Sequence, residues 1–227
     1  HVEQAVALAA EAARRTLGKT AYDGQLVAAL HLLDERLVEM ATGEGKSLAT
    51  AIAAAAAALS GMPVHVITAN DYLVQRDAEL FRPLFQRLGL RVAAVAARHK
   101  SEERHGAYAS HVVYVTAKEL VFDYLRDRSM RRAGTPALRQ RVAALGANAA
   151  TGPLLRGLCM ALIDEADSVL IDEALMPLIL SRENNDATER AYRWQVWALS
   201  GKLADGADFT RHPTARQVLL TDAGRER

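Results

Sequence analysis

Cysteine is almost missing from this chain: there is one, Cys159. A single cysteine makes no internal disulfide, so a reducing compartment is the simpler setting, and core packing in an apolar run is its expected role. A charge excess of either sign is missing too. Lys and Arg total 28 against 27 Asp and Glu, a net +1, which gives no global basic field for nucleic acid. No apolar run is long enough for a bilayer; the longest, Leu48 to Leu59, is short and mostly alanine. The first residues are acidic and Ala-rich, not basic then apolar, so no signal peptide is read there, and His1 reads as a cut or processed terminus. Internal repeats are also lacking. A soluble, cytosolic protein is expected, with any membrane contact peripheral. What is present is apolar substance. Half of the 227 residues are hydrophobic, enough for one large α/β domain or for one domain plus a fragment of another.

The most informative stretch is Met40-Ala41-Thr42-Gly43-Glu44-Gly45-Lys46-Ser47. The apolar run Leu37-Val38-Glu39-Met40 before it reads as a buried strand. The Ala-rich run after it reads as a helix, because alanine is the best helix former. Strand, Gly-rich turn, Gly-Lys-Ser and helix is the context of a phosphate loop. Gly43 and Gly45 let backbone amides converge on one spot, and the helix N-terminus aims its dipole there. Lys46 is expected to reach the terminal phosphates of a bound ligand, and Ser47 to hold Mg²⁺. The strict pattern wants glycine where Met40 stands. A surface turn with an exposed lysine is the bland alternative.

A second motif fits the first. Leu158-Cys159-Met160-Ala161-Leu162-Ile163 reads as a strand buried on both faces, and it ends in Asp164-Glu165-Ala166-Asp167. Ligands bind at such strand ends in open α/β sheets. Asp164 is placed for Mg²⁺ and Glu165 for the attacking water. An acidic helix N-terminus is the alternative for either residue taken singly.

The rest of the chain alternates helix and strand. Val2 to Leu17 is an amphipathic helix stopped by Gly18. Tyr22-Asp23-Gly24-Gln25 leads into a helical stretch ending at Leu33. The Gln25 amide suits an adenine edge, although most glutamines are merely solvated. Val64 to Ala69 is a strand, Asn70 or Asp71 caps a helix to about Leu88, and Leu90 to Ala96 is a strand. Arg98 to His105 is expected to be a solvated connection. Val112 to Val115 is a strand, and Thr116 caps a helix from Ala117 to Asp127. This order argues for a parallel sheet with helices on both faces. Residues 128–157, with Arg128, Arg131, Arg132, Arg139 and Arg141, are expected to be a mobile surface connection with a short helix near Ala137 to Leu145. Those arginines either solvate it or form a basic patch for acidic lipid or a partner. Pro177 breaks the segment after the acidic motif, and Leu178-Ile179-Leu180 reads as a strand leaving the domain. Trp194 and Trp197 are expected to be packing residues, and Val218-Leu219-Leu220 a short strand. Residues 181–227 are too few for an independent core and read as the start of a second domain.

Four runs carry a family resemblance: residues 40–47, Thr68-Ala-Asn-Asp-Tyr-Leu-Val-Gln-Arg-Asp77, Phe122-Asp-Tyr-Leu-Arg-Asp127 and Leu162 to Ala174. Together they resemble the first nucleotide-binding domain of SecA, the ATP-driven motor of bacterial preprotein translocation, from about Leu17 to Ser181. Ala215 to Thr221 is similar to the start of its preprotein cross-linking domain. The resemblance implies a RecA-like (P-loop NTPase) α/β fold over 1–180 and a truncated cross-linking domain over 181–227. It implies ATP and Mg²⁺ as ligands. Gln25 corresponds to the adenine-reading glutamine and Tyr22 to a neighbouring aromatic. Thr42, Gly43, Glu44, Gly45, Lys46 and Ser47 correspond to the phosphate and metal site, Asp164 to the metal carboxylate and Glu165 to the catalytic one. Implied partners are a preprotein, a SecYEG-type membrane channel and an anionic lipid surface, with no specific nucleic acid. The implied location is cytoplasmic and peripheral at the inner membrane.

In the family a second motor domain supplies arginines to the transferring phosphate. None of these residues does so, so the chain alone is expected to be nearly inactive. Departures from the family pattern are Ser47 for Thr, Ala166 for Val, Leu175 and Met176 for Arg-Thr, and Val115, Ala117, Lys118 and Val121 for Gly, Asn, Asn and Gly. They leave the phosphate chemistry intact and alter the coupling elements, as in a divergent accessory translocase. Two rivals stay open: an RNA helicase, which Asp164 to Asp167 fits literally, and a nucleotide-binding module without turnover.

Overall fold

Val64–Thr68 (β1), Val92–Val95 (β2), Val112–Thr116 (β3) and Met160–Ile163 (β4) form one parallel sheet in the order β2-β3-β1-β4. The computed structural model describes residues 1–130, 153–155, 157, 159–175, 187–212 and 217–226. The central strands β1 and β3 are buried along their whole length and built from β-branched residues, which pack well on a pleated surface. Their register pairs Val66 with Tyr114 and Thr68 with Thr116, while β1 also pairs Val66 with Leu162 of β4. All four C-terminal strand ends therefore lie along one edge.

Helices cover both faces, the RecA-like α/β arrangement. Lys46–Leu59 (α3) and Asp71–Arg87 (α4) pack on one face, with Val2–Leu17 (α1) and Asp23–Leu33 (α2) stacked outside α3. Residues 48–58 of α3 are all buried, because the helix is sandwiched between sheet and outer helices. A helix apolar on every side belongs in such a place, and alanine lets the neighbours come close. Ser101–Tyr108 (α5) and Ala117–Met130 (α6) cover the other face. The two cores separate by strand parity. Val66, Val112, Tyr114 and Leu162 pack with α3 and α4, while Ile67, Val113, Val115 and Ile163 pack with Tyr108 and Leu154.

The predicted caps form. Gly18 ends α1 at φ 65°, and Asn70 Oδ1 accepts the Leu73 N–H at 3.0 Å to open α4. Thr116 Oγ1 accepts the Glu119 N–H at 3.3 Å at the start of α6.

Several expectations are corrected. Residues 37–40 are no strand: they join no ladder, and Leu37 is 89% exposed. An apolar tetrapeptide has strand composition, but a strand needs a pairing partner. β4 is not buried on both faces: Ala161 is exposed, and of its four residues Leu162 alone is fully buried. β4 also ends the sheet order among the described residues. Cys159 precedes β4 and is half-buried. The charged stretch from Arg98 to His105 is not simply solvated, since α5 starts within it and Arg104 is buried. The helix expected near 137–145 and the strand at 178–180 lie outside the described residues.

The chain divides into two units, His1–Leu178 and Ile179–Arg227. The second holds a helix, Ala187–Ser200 (α7), an antiparallel pair, Phe209–His212 (β5) with Gln217–Leu220 (β6), and a short helix, Asp222–Glu226 (α8). Trp194 and Trp197 are not core residues. They meet edge to face at 5.4 Å and stay about two-thirds exposed. No described helix is long and apolar enough to cross a membrane.

Candidate nucleotide site

The loop before α3 is shaped by its glycines. Gly43 has φ 90° and Gly45 φ 79°, a left-handed conformation that glycine adopts without strain. Gly45 caps α3. The first intrahelical bond runs from Leu48 N–H to Gly45 O at 3.0 Å, so the amides of Gly45, Lys46 and Ser47 lie at the helix N-terminus. Thr42, Gly43 and Glu44 are exposed, and Gly45, Lys46 and Ser47 half-buried. The loop is folded on itself. Lys46 Nζ donates to Met40 O at 3.3 Å, and Glu44 accepts the Ala41 N–H on Oε2 at 3.1 Å.

Gln25 braces this loop. Its Nε2 donates to Glu44 O at 2.7 Å and its Oε1 accepts the Tyr22 N–H at 3.1 Å. An amide offers two donors and two lone pairs, so these bonds use one of each, and the residue is buried. A methyl at Gly45 would push aside the Gln25 amide, so the left-handed backbone is what calls for glycine and the new methyl would cost the Gln25 brace. Tyr22 is 75% exposed beside it in sequence.

Asp164 follows β4, and its own N–H donates to Ile67 O at 2.8 Å, which fixes it at the strand ends beside β1. Its carboxyl is pushed up by burial, then by the negative charges of Glu165 and Asp77; the Lys46 ammonium pulls it the other way. The elements that carry Lys46 and Asp164, α3 and β4, pack together. Glu165 is exposed, at φ 58°. A non-glycine residue held there is strained, as is common where a side chain must be aimed.

The donor set fits a magnesium nucleotide. A hydroxyl at Ser47, a half-buried carboxylate at Asp164, an ammonium at Lys46 and helix N-terminal amides match the chemistry of a hard cation and phosphate oxygens.

The family model of the SecA DEAD-like domain matches residues 1–214. The chain belongs to the SecA DEAD-like domain family. Protein translocase subunit SecA 2 of Bordetella avium (strain 197N) is 44% identical over 224 residues, 98% of this chain and 34% of that protein. Protein translocase subunit SecA 3 of Magnetococcus marinus is 43% identical, over 92% of this chain and 32% of that protein. Protein translocase subunit SecA of Mycobacterium avium (strain 104) is 44% identical, over 98% of this chain and 26% of that protein. The chain therefore spans about a third or less of these curated relatives.

In this SecA-family chain, three neighbours of the site escaped sequence reasoning. Asp77 is buried on α4 and accepts Arg76 Nε at 2.8 Å. The Arg76 guanidinium is held up first by that hydrogen bond, with Asp164 among the charges it feels. Tyr114 lies beneath, within the field of both Asp77 and Asp164. A signal existed for Asp77. The buried face of α4 reads Val74, Asp77, Ala78, Phe81, Leu84 and Phe85, and an acid inside an apolar stripe asks for a reason.

Proposed function

We propose that this chain is the first nucleotide-binding motor domain of a SecA-like protein translocase and that it binds Mg·ATP at the strand ends. One arrangement supports the reading: Lys46 opens α3, Asp164 follows β4 beside the end of β1, and α3 packs on β4, so two separate motifs meet on one sheet. Lys46 leaves the Met40 carbonyl for the phosphates, and the Gly45, Lys46 and Ser47 amides bind phosphate oxygens. The free amide functions of Gln25 read the adenine edge, with Tyr22 alongside. Ser47 and Asp164 hold Mg²⁺, which when bound neutralises charge on the phosphates. Glu165 orients and deprotonates the attacking water. Catalysis is positioning plus electrostatic stabilisation, without a covalent intermediate on the protein.

In the whole protein this turnover moves a preprotein through a SecYEG-type channel, with the motor on the cytoplasmic side of the inner membrane and against anionic lipid. Residues 181–227 begin the preprotein cross-linking domain. The "protein translocase" names of the relatives support this part. Asp164 to Asp167 alone favours a helicase; RNA-stimulated turnover would be its signature.

The test is Glu165→Gln in the full-length protein. Mg·ATP binding should persist, while turnover falls by about 10²–10⁴. Undiminished turnover removes Glu165 from its role. The 227-residue chain alone should turn over on the order of a thousand-fold more slowly than the full-length protein, for want of arginines on the transferring phosphate.

A further inference from the structure

Two side-chain groups beside the site are buried with no hydrogen-bond partner among the described residues: Thr68 Oγ1 and Tyr114 OH. Each residue is only 2% exposed. Buried hydroxyls are ordinarily satisfied, and each exception needs a reason. Position supplies one here. Tyr114 of β3 pairs with Val66, which pairs on its other side with Leu162, two residues before Asp164. Thr68 ends β1 on the same face, since it and Val66 are two apart. Strand alternation carries Asp164 onto that face as well, and Asp77 descends from α4. The Tyr114 ring packs edge to face on Phe85 at 6.5 Å, which fixes the phenol. A phenylalanine would keep that packing and avoid the buried hydroxyl.

We propose that Tyr114 is a positioning residue for the metal: its hydroxyl would donate to the Asp164 carboxylate when that carboxylate holds Mg²⁺. The inference rests on the reading of Asp164 as a metal carboxylate. A phenol ordinarily keeps its proton well above neutral pH, so the hydroxyl can donate. Metal-binding carboxylates are themselves held by outer hydrogen bonds, and losing such a partner typically weakens metal affinity by about 10–100-fold.

The test is a Mg²⁺ titration of fluorescent ADP binding to the intact chain and its Tyr114→Phe and Asp164→Ala variants, with thermal melts alongside. Tyr114→Phe should raise the half-saturating Mg²⁺ concentration by about ten-fold. It should leave metal-free ADP affinity unchanged and the melting temperature unchanged or higher. A purely structural role would lower the melting temperature and leave the Mg²⁺ requirement alone, and that result overturns the proposal. Asp164→Ala separates the two ideas. If it abolishes the Mg²⁺ response while Tyr114→Phe does not shift it, Tyr114 has no such role and Asp164 keeps its own. If Asp164→Ala retains the full Mg²⁺ response, the metal reading itself fails and takes this proposal with it.

Discussion

Two acidic clusters flank the same sheet, and they are finished differently. On the α5–α6 face, Asp123 is fully buried yet saturated. Arg104 Nη1 reaches it at 2.7 Å, Tyr108 OH at 2.8 Å and Arg126 Nη1 at 2.8 Å. Arg104 is well partnered too, its Nε donating to the His99 carbonyl and its Nη2 to Glu119 and the Ala96 carbonyl. Burial alone would lower its affinity for its proton, but Glu119 and Asp123 hold it up. Asp127 continues the pattern, accepting the Leu154 and Leu155 amides at 2.8 and 2.9 Å. On the α3–α4 face, Asp77 and Asp164 lie near two orphaned hydroxyls, a strained Glu165 and a lysine held by one long bond to a carbonyl. A cluster that satisfies itself is architecture. A cluster left open, at the edge where ligands enter an α/β sheet, is built for something that arrives.

The comparison breaks most sharply at Arg104. Among the described residues, Arg104→Ala takes the only ion-pair partner from half-buried Glu119 and leaves buried Asp123 with the Arg126 cation alone, and about 3–5 kcal/mol of stability should be lost in urea denaturation. A loss below about 1 kcal/mol would mean the cluster is as open as the other one. Gly45→Ala sharpens the opposite side. The left-handed backbone costs a residue with a Cβ about 1–2 kcal/mol, and the new methyl displaces the Gln25 amide from Glu44 O. Nucleotide affinity should fall far more than the melting temperature does, as calorimetry and melts on one sample would show. Leu37→Ser is the smallest change. With its side chain in solvent, stability should move by less than about 0.5 kcal/mol; a core-sized loss would restore the buried strand expected there.

Local chemistry was legible in the residues, and long-range pairing was not. Gly18, Asn70 and Thr116 announced helix ends because caps act over a few residues. The β-branched runs at 64–68 and 112–116 announced central strands for the same local reason. Leu37 to Met40 looked alike and formed none, because composition does not say whether a neighbouring edge is offered. Arg104 read as solvated charge, since its partners Glu119 and Asp123 lie a full strand and helix turn further on. At the site, Lys46 and Asp164 were legible as motifs. Tyr114 was not, because its meaning lies in a hydroxyl left without a partner, which only the packed structure reveals.

The account depends most on Lys46 and Asp164 serving one bound ligand. A double-mutant cycle on Mg·ATP affinity, with Lys46→Ala, Asp164→Ala and the pair together, measures that directly. A coupling energy of about 0.5–3 kcal/mol is predicted, as for residues sharing one partner. Strict additivity of the two losses would place the lysine and the carboxylate in unrelated sites and contradict the account.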